Sequence, residues 1–130
     1  DRARLRQSLK HQSFIDVEAA AKSASWLAEA DDALEWSVEQ AIARWPDAGD
    51  IHLLYDDGYP PEIFRRIVTR RLALHDPQLK VRAASLDNAI SAMQAGKRAM
   101  VGQWLIDRVG KASTIWRISA APRRNSAKKA

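Results

Sequence analysis

The residues best equipped for chemistry are arginines in the stretch "FRRIVTRRLALH", which places Arg65, Arg66, Arg70 and Arg71 within two turns of a predicted helix. On that helix Arg65, Arg66, Thr69 and Arg70 lie outside the inner stripe traced by Ile63, Phe64, Ile67, Val68, Arg71 and Leu72, and Arg71 sits at its border. Guanidinium groups from neighbouring turns suit phosphate oxygens, which accept the bidentate fork. A plainer alternative is a solvated face neutralised by acids of the preceding helix, where Glu29, Asp31, Asp32, Glu35 and Glu39 are in supply. Two further basic groups stand apart from this array. Arg2, Arg4, Arg6 and Lys10 open the chain, with Arg2 and Arg6 on one helical face, and Lys97 and Arg98 follow a small helix.

Other chemistries find no footing. There is no Cys, hence no disulfide, thiolate nucleophile or Cys-based metal site. His11, His52 and His75 are isolated and lack the i, i+4 spacing of a helical metal pair. "GKAST" lacks the first glycine of a phosphate loop and falls in a predicted hairpin, and Asp56-Asp57-Gly58 is a turn without the later ligands of a calcium loop. No nucleophile, base and oxyanion set assembles, so no catalytic and no metal-binding residue is assigned.

Charge is distributed unevenly over the 130 residues, whose formal net charge is +5. Residues 16–50 hold nine acids and two bases, whereas 63–130 hold fifteen bases and three acids. One acidic face and one basic face able to track a polyanion are expected, since neutralising phosphates releases counterions. A composition that is 46% hydrophobic and 28% charged supports one globular core. No apolar run is long enough to span a bilayer, and the first residues are not signal-like, so a cytoplasmic protein without a membrane partner is expected. Asp1, leading directly into basic residues, reads as a cut inside a longer frame.

These groups must be positioned by a mainly α, α+β fold in which helices pack with a small antiparallel sheet or hairpin. Val17, Ala20, Ala24, Leu27, Leu34, Val38, Ile42 and Trp45 recur at three- and four-residue steps and predict a long amphipathic helix, capped by Asp16 and stopped by Pro46. The first ten residues read as a separate short helix. Ile51 to Tyr55 is a predicted strand, Pro61 to about His75 the second substantial helix, and Ser85 caps a third that ends at Gly96. Val101 to Asp107 and Thr114 to Ser119 flank Gly110 and Lys111 as a β-hairpin. Trp45, Trp104 and Trp116 are expected in the core, whereas Trp26 and Trp36 lie off the stripe and are candidates for a second element or for stacking on RNA.

Three landmarks, taken in order, carry a resemblance: "DRARLR", "PPEIFRRIVTRRLA", and "LDNAISAMQAGKRAMVGQWLI" leading to "IWRISAAPRR". Together they resemble the region behind the catalytic domain of bacterial tRNA(Ile)-lysidine synthase, an N-type ATP pyrophosphatase, in its short form. That resemblance implies a parent ligase that uses ATP (with Mg) and lysine to modify the wobble cytidine of a tRNA anticodon. The family's ATP-binding S-G-G-x-D-S string is not in this sequence, so the segment alone is expected to be inactive and to bind no cofactor. The implied layout is 1–15 as the end of the catalytic region and linker, 16–120 as a helical substrate-binding domain, and 121–130 as a disordered basic tail. The implied partners are tRNA and the catalytic domain, with a homo-oligomer left open. The expected RNA contacts are Arg2, Arg6, Arg65, Arg66, Arg70, Arg71, Lys97 and Arg98, with Arg2, Arg6, Arg70 and Arg71 matching family arginines. Three other readings compete: a stand-alone basic nucleic-acid-binding domain, a purely structural domain packed on a catalytic half, and a helix-turn-helix DNA reader. The last is disfavoured because the helix after Ser85 carries Asp87 and no Arg or Lys.

Overall fold

The computed structural model describes residues 2–111 and 113–122, and of residues 7–15 it describes the backbone alone. The chain divides into two compact units, residues 1–37 and 38–130. The element order is α1 (Arg2–Ala43), β1 (Leu53–Tyr55), α2 (Pro61–His75), α3 (Ala83–Gln94), β2 (Ala99–Val101), β3 (Trp104–Arg108) and β4 (Ile115–Ala120), which makes an α+β fold.

Unit 1 is helical. The expected break before Asp16 is absent, and one helix of 42 residues runs through it, because residues 11–15 contain neither Gly nor Pro to interrupt the ladder. Asp16 is therefore an interior residue and not an N-cap. Every side chain from 16 to 33 is exposed, including Val17 and Leu27 of the expected inner stripe. In the stripe's later part Val38 and Trp45 are buried, and both belong to unit 2.

Unit 2 is built on a four-stranded antiparallel sheet of order β1-β4-β3-β2. The run expected as one strand from Val101 resolves into β2 and β3, paired Ala99↔Ile106 and Val101↔Trp104 around the two-residue loop Gly102-Gln103. Gly102 has φ +59° and Gln103 does not enter the positive region, the pattern of a type II′ turn whose first central position demands Gly. The second hairpin joins β3 to β4 as the sequence suggests, with Val109 donating to the Ile115 carbonyl at 2.8 Å.

One face of the sheet presents Leu54, Ala99, Val101, Ile106, Trp116 and Ile118 to the core. Ile63, Phe64, Ile67, Val68 and Leu72 of α2 and Leu86, Ala89, Ile90 and Met93 of α3 complete it. The start of α2 is set by Pro60 and Pro61, since proline tolerates the first helical position where an N-H has no partner anyway. Its end is fixed by Asp76, whose N-H donates to the Leu72 carbonyl at 2.9 Å. The third helix begins at Ala83 behind Arg82, two residues before the expected Ser85 cap.

Candidate nucleic-acid interface

The arginines of α2 occupy three different environments. Arg65 donates from Nε to Asp87 Oδ1 at 2.8 Å and from Nη1 to Glu62 Oε2 at 3.1 Å, and the hydrogen bond to Asp87 pushes its pKa further up. Arg66 donates to the other Glu62 oxygen at 3.0 Å, and Arg70 lies 3.7 Å from Glu39. Three of the four cations expected to meet phosphate are thus already facing carboxylates. One of those acids, Glu39, comes from the first helix, while Glu62 and Asp87 are nearer neighbours in α2 and α3. These exposed pairs exchange readily with water and salt, so they lower the local positive potential without locking the side chains.

Arg71 is a different case, being 2% exposed. Its Nη2 donates to the Ala48 carbonyl at 3.2 Å and its guanidinium carbon stands 4.7 Å from the Trp45 ring centroid. The Nε atom has no hydrogen-bond partner among the described residues. Burial lowers the guanidinium's pKa, with the Asp50 charge pulling the other way. Trp45 in turn donates from its indole to the Tyr59 hydroxyl at 2.7 Å. Arg71 therefore clasps the turn after α1 from inside the core, and its expected place on a phosphate-facing surface is replaced by this interior one. The spacing counts Arg71 in the inner stripe, at its border, and the structure buries it there with the rest of that stripe.

The remaining expected residues are exposed. Arg2 and Arg6 lie on α1 in unit 1. Lys97 and Arg98 follow Gly96, where α3 gives way to β2. Beside them the structure adds Arg108 and Lys111, which sequence reasoning passed over. Arg108 is the last residue of β3 and pairs with Trp116 across the sheet. Its guanidinium lies over the Trp116 ring, 5.5 Å from the centroid, and its Nη1 donates to the Lys111 carbonyl at 2.7 Å. Gly96, with φ +75°, supplies the room, since a Cβ there would collide with the Arg108 Nη2. Among the described residues no carboxylate lies in ion-pair range of Lys97, Arg98, Arg108 or Lys111.

The register accounts for Lys97 and Arg108. Ala99 pairs with Ile106, so Lys97, two residues before it, falls level with Arg108, two residues after its partner. The acid nearest in register is Asp107, whose Oδ1 accepts from the Arg108 N-H at 3.0 Å and whose strand neighbour is Arg117. A cation group held partly by neutral partners, a carbonyl and an aromatic face, keeps its full charge for an external anion. The arrangement can bind phosphate oxygens and can stack on planar groups.

Among the described residues no three His, Asp or Glu side chains cluster so as to hold a metal ion, and no helix is long and apolar enough to cross a membrane. The basic tail from 123 to 130 lies outside the described residues. The sequence matches no family model, no curated protein and no solved structure.

Proposed function

We propose that this chain is the tRNA-contacting part of a tRNA(Ile)-lysidine synthase, which adenylates the wobble cytidine with ATP and replaces its carbonyl oxygen with lysine. The three sequence landmarks support the family reading. The observation that carries the RNA-binding part is the unpaired cation group of Lys97, Arg98, Arg108 and Lys111 at the end of the sheet. ATP with Mg would be handled by the S-G-G-x-D-S region of the parent enzyme, and the chemistry it supplies is activation of the base for attack by lysine. That role is given to the parent because the string does not occur in this sequence. The part of this chain's residues is to hold the tRNA through its backbone and to leave the reaction to the catalytic half.

The test is tRNA binding by this chain across a salt series, with Lys97→Glu and Arg98→Glu as variants. Each phosphate contact contributes about 0.7 to 0.9 to the log-log salt slope, so the double variant should flatten the slope by about 1.4 to 1.8 and weaken binding at low salt. Binding that is insensitive to both salt and the variants refutes the proposal.

A second reading is favoured by α1. Val17, Trp26, Leu27 and Trp36 are 62–72% exposed, an apolar load that isolated surface helices seldom carry. On this reading the helix is a docking face for the catalytic half, and RNA is held elsewhere. Replacing Trp26 and Trp36 by Ser should then abolish lysidine formation in the full-length enzyme while leaving tRNA binding by this chain unchanged.

A further inference from the structure

Arg108 stands between two recesses of opposite character. One, of about 330 Å³, is lined by Gly96, Arg108, Gly110 and Lys111, with two cations, two glycines and no acid. The other, of about 440 Å³, is bounded by Arg108 together with Asp56, Met93, Gln94, Thr114 and Trp116. Both are shallow and open to solvent over most of their boundary. A nucleotide has the same polarity as the pair, with an anionic phosphate at one end and a base bearing N-H donors at the other.

We propose that this double recess seats one unstacked nucleotide of an RNA strand, with its phosphate on the Lys111 side of Arg108 and its base on the Asp56 side. The inference rests on the RNA-binding reading above and specifies which nucleotide of contact that reading lacks. Arg108 is the pivot. Its guanidinium is fixed from behind by the Trp116 ring, from the side by the Lys111 carbonyl at 2.7 Å, and by the close backbone of Gly96. None of these neutralises it, in contrast to Arg65, Arg66 and Arg70. Trp116 is 3% exposed, so the stacking platform offered to a base is the guanidinium plane lying on it and not the indole itself.

Asp56 sets the preference among bases. Its backbone N-H donates to the Thr114 carbonyl at 2.8 Å, which ties the residue to the rim of the recess. A carboxylate accepts from base N-H groups and has nothing to offer base acceptors. Guanine presents two parallel donors on its Watson-Crick edge, which a carboxylate takes in bidentate fashion, whereas uracil presents one donor between two carbonyls. The recess is therefore expected to select a guanosine over a uridine.

The experiment titrates the ¹⁵N-labelled chain with 5′-GMP, 5′-UMP and inorganic phosphate, following the Gly96 amide and the Trp116 indole N-H. GMP should shift both signals and bind about tenfold more tightly than UMP, the size of discrimination a good bidentate base contact gives. Arg108→Lys keeps the charge and loses the plane, and should weaken GMP about tenfold. Asp56→Asn should abolish the preference for GMP over UMP, and thermal unfolding of each variant shows whether its fold is intact. Inorganic phosphate binding as tightly as GMP, or a GMP affinity that Arg108→Lys leaves unchanged, overturns the proposal. The same two variants separate this idea from the broader one. If tRNA binding falls with Lys97→Glu but is untouched by Arg108→Lys and Asp56→Asn, the recess is refuted while the RNA-binding reading stands. If tRNA fails to bind at low salt, both fall.

Discussion

Arg71 allows the contribution of a buried stem to be separated from that of the charge it carries. At 2% exposure its three methylenes are removed from water, worth about 0.8 kcal/mol each; truncation to Ala keeps Cβ and forfeits the other two, about 1.6 kcal/mol of apolar burial, to which the cavity left behind adds. The charge contributes a hydrogen bond to Ala48, worth about 1.5 to 3 kcal/mol for an ionised donor. Its position over Trp45 adds about 0.5 to 2 kcal/mol. Against these stand the desolvation of a guanidinium, still several kcal/mol after relaxation, and an Nε donor left without a partner. The charge terms nearly cancel, and the stem term does not. Arg71→Met, which fills the same space, should therefore lie within about 1 kcal/mol of the parent, whereas Arg71→Ala should cost about 2 to 3 kcal/mol. Urea unfolding followed by tryptophan fluorescence measures both. Because burial lowers the pKa of this base, its penalty is present while the guanidinium is charged and is relieved only as pH rises through the folded-state value. The Met variant's stability relative to the parent should accordingly be independent of pH around neutrality. A Met variant as unstable as the Ala variant would refute the reasoning, since the bonds of the guanidinium and not its stem would then be holding the turn after α1.

Three further outcomes follow from neighbouring features. Burial raises the Tyr59 phenol, outweighing the Trp45 hydrogen bond that lowers it; a raised acid gives stability that is present below its unfolded pKa of about 10 and lost as pH climbs toward the folded value. Stability should fall on the alkaline side of that point, and Tyr59→Phe should remove part of the slope; Tyr55, also raised by burial, contributes in the same direction. Gly96→Ala should cost about 1 to 2 kcal/mol for the left-handed backbone alone, and should in addition displace the Arg108 guanidinium, detected as a shifted Trp116 indole resonance. Asp87→Asn should release Arg65 from its strongest partner with little effect on thermal unfolding; if the α2 face also meets tRNA, affinity at low salt should rise, and an unchanged affinity would assign the contact to the sheet end alone.

What could be read from the residues was set by local signals. Pro61 opening α2 and Asp76 closing it, the inner stripe of Ile63, Phe64, Ile67 and Val68, and the glycine hairpin before Ile115 are local, and each reappears in the fold. The stripe in α1 misled because periodicity reports which residues could share a face, not whether anything covers it; Val17 and Leu27 follow the same spacing as Val38 and end up exposed. The break at Asp16 misled because a good cap residue is also tolerated inside a helix when its neighbours lack Gly and Pro. The candidate site was half legible. Lys97 and Arg98 were visible as a basic pair, but Arg108 acquires its meaning from Trp116, eight positions away in sequence and level with it only once the hairpin register is set. Alternation along β3, which puts Arg108 on the same side as the buried Ile106, was the available signal. Pairing of Arg65 with Asp87 depends on how α2 crosses α3, which no local pattern encodes.

The sheet order also dictates a sequence of events in time. β4, the last of the described strands, lies between β1 and β3, while β1 precedes both in the chain. On a ribosome β1 emerges about sixty residues before the strand that will flank it, with both of its hydrogen-bonding edges open throughout. The helices α2 and α3 can form early from their own local ladders, yet Leu54 finds its partner Trp116 only after the second hairpin has turned. The same late step brings Trp116 under Arg108. Completion of the core and the seating of Arg108 on its aromatic support are therefore one event, and a nascent chain halted short of Ile115 would carry Gly96, Arg108, Gly110 and Lys111 without a closed sheet and without the Trp116 ring beneath the guanidinium.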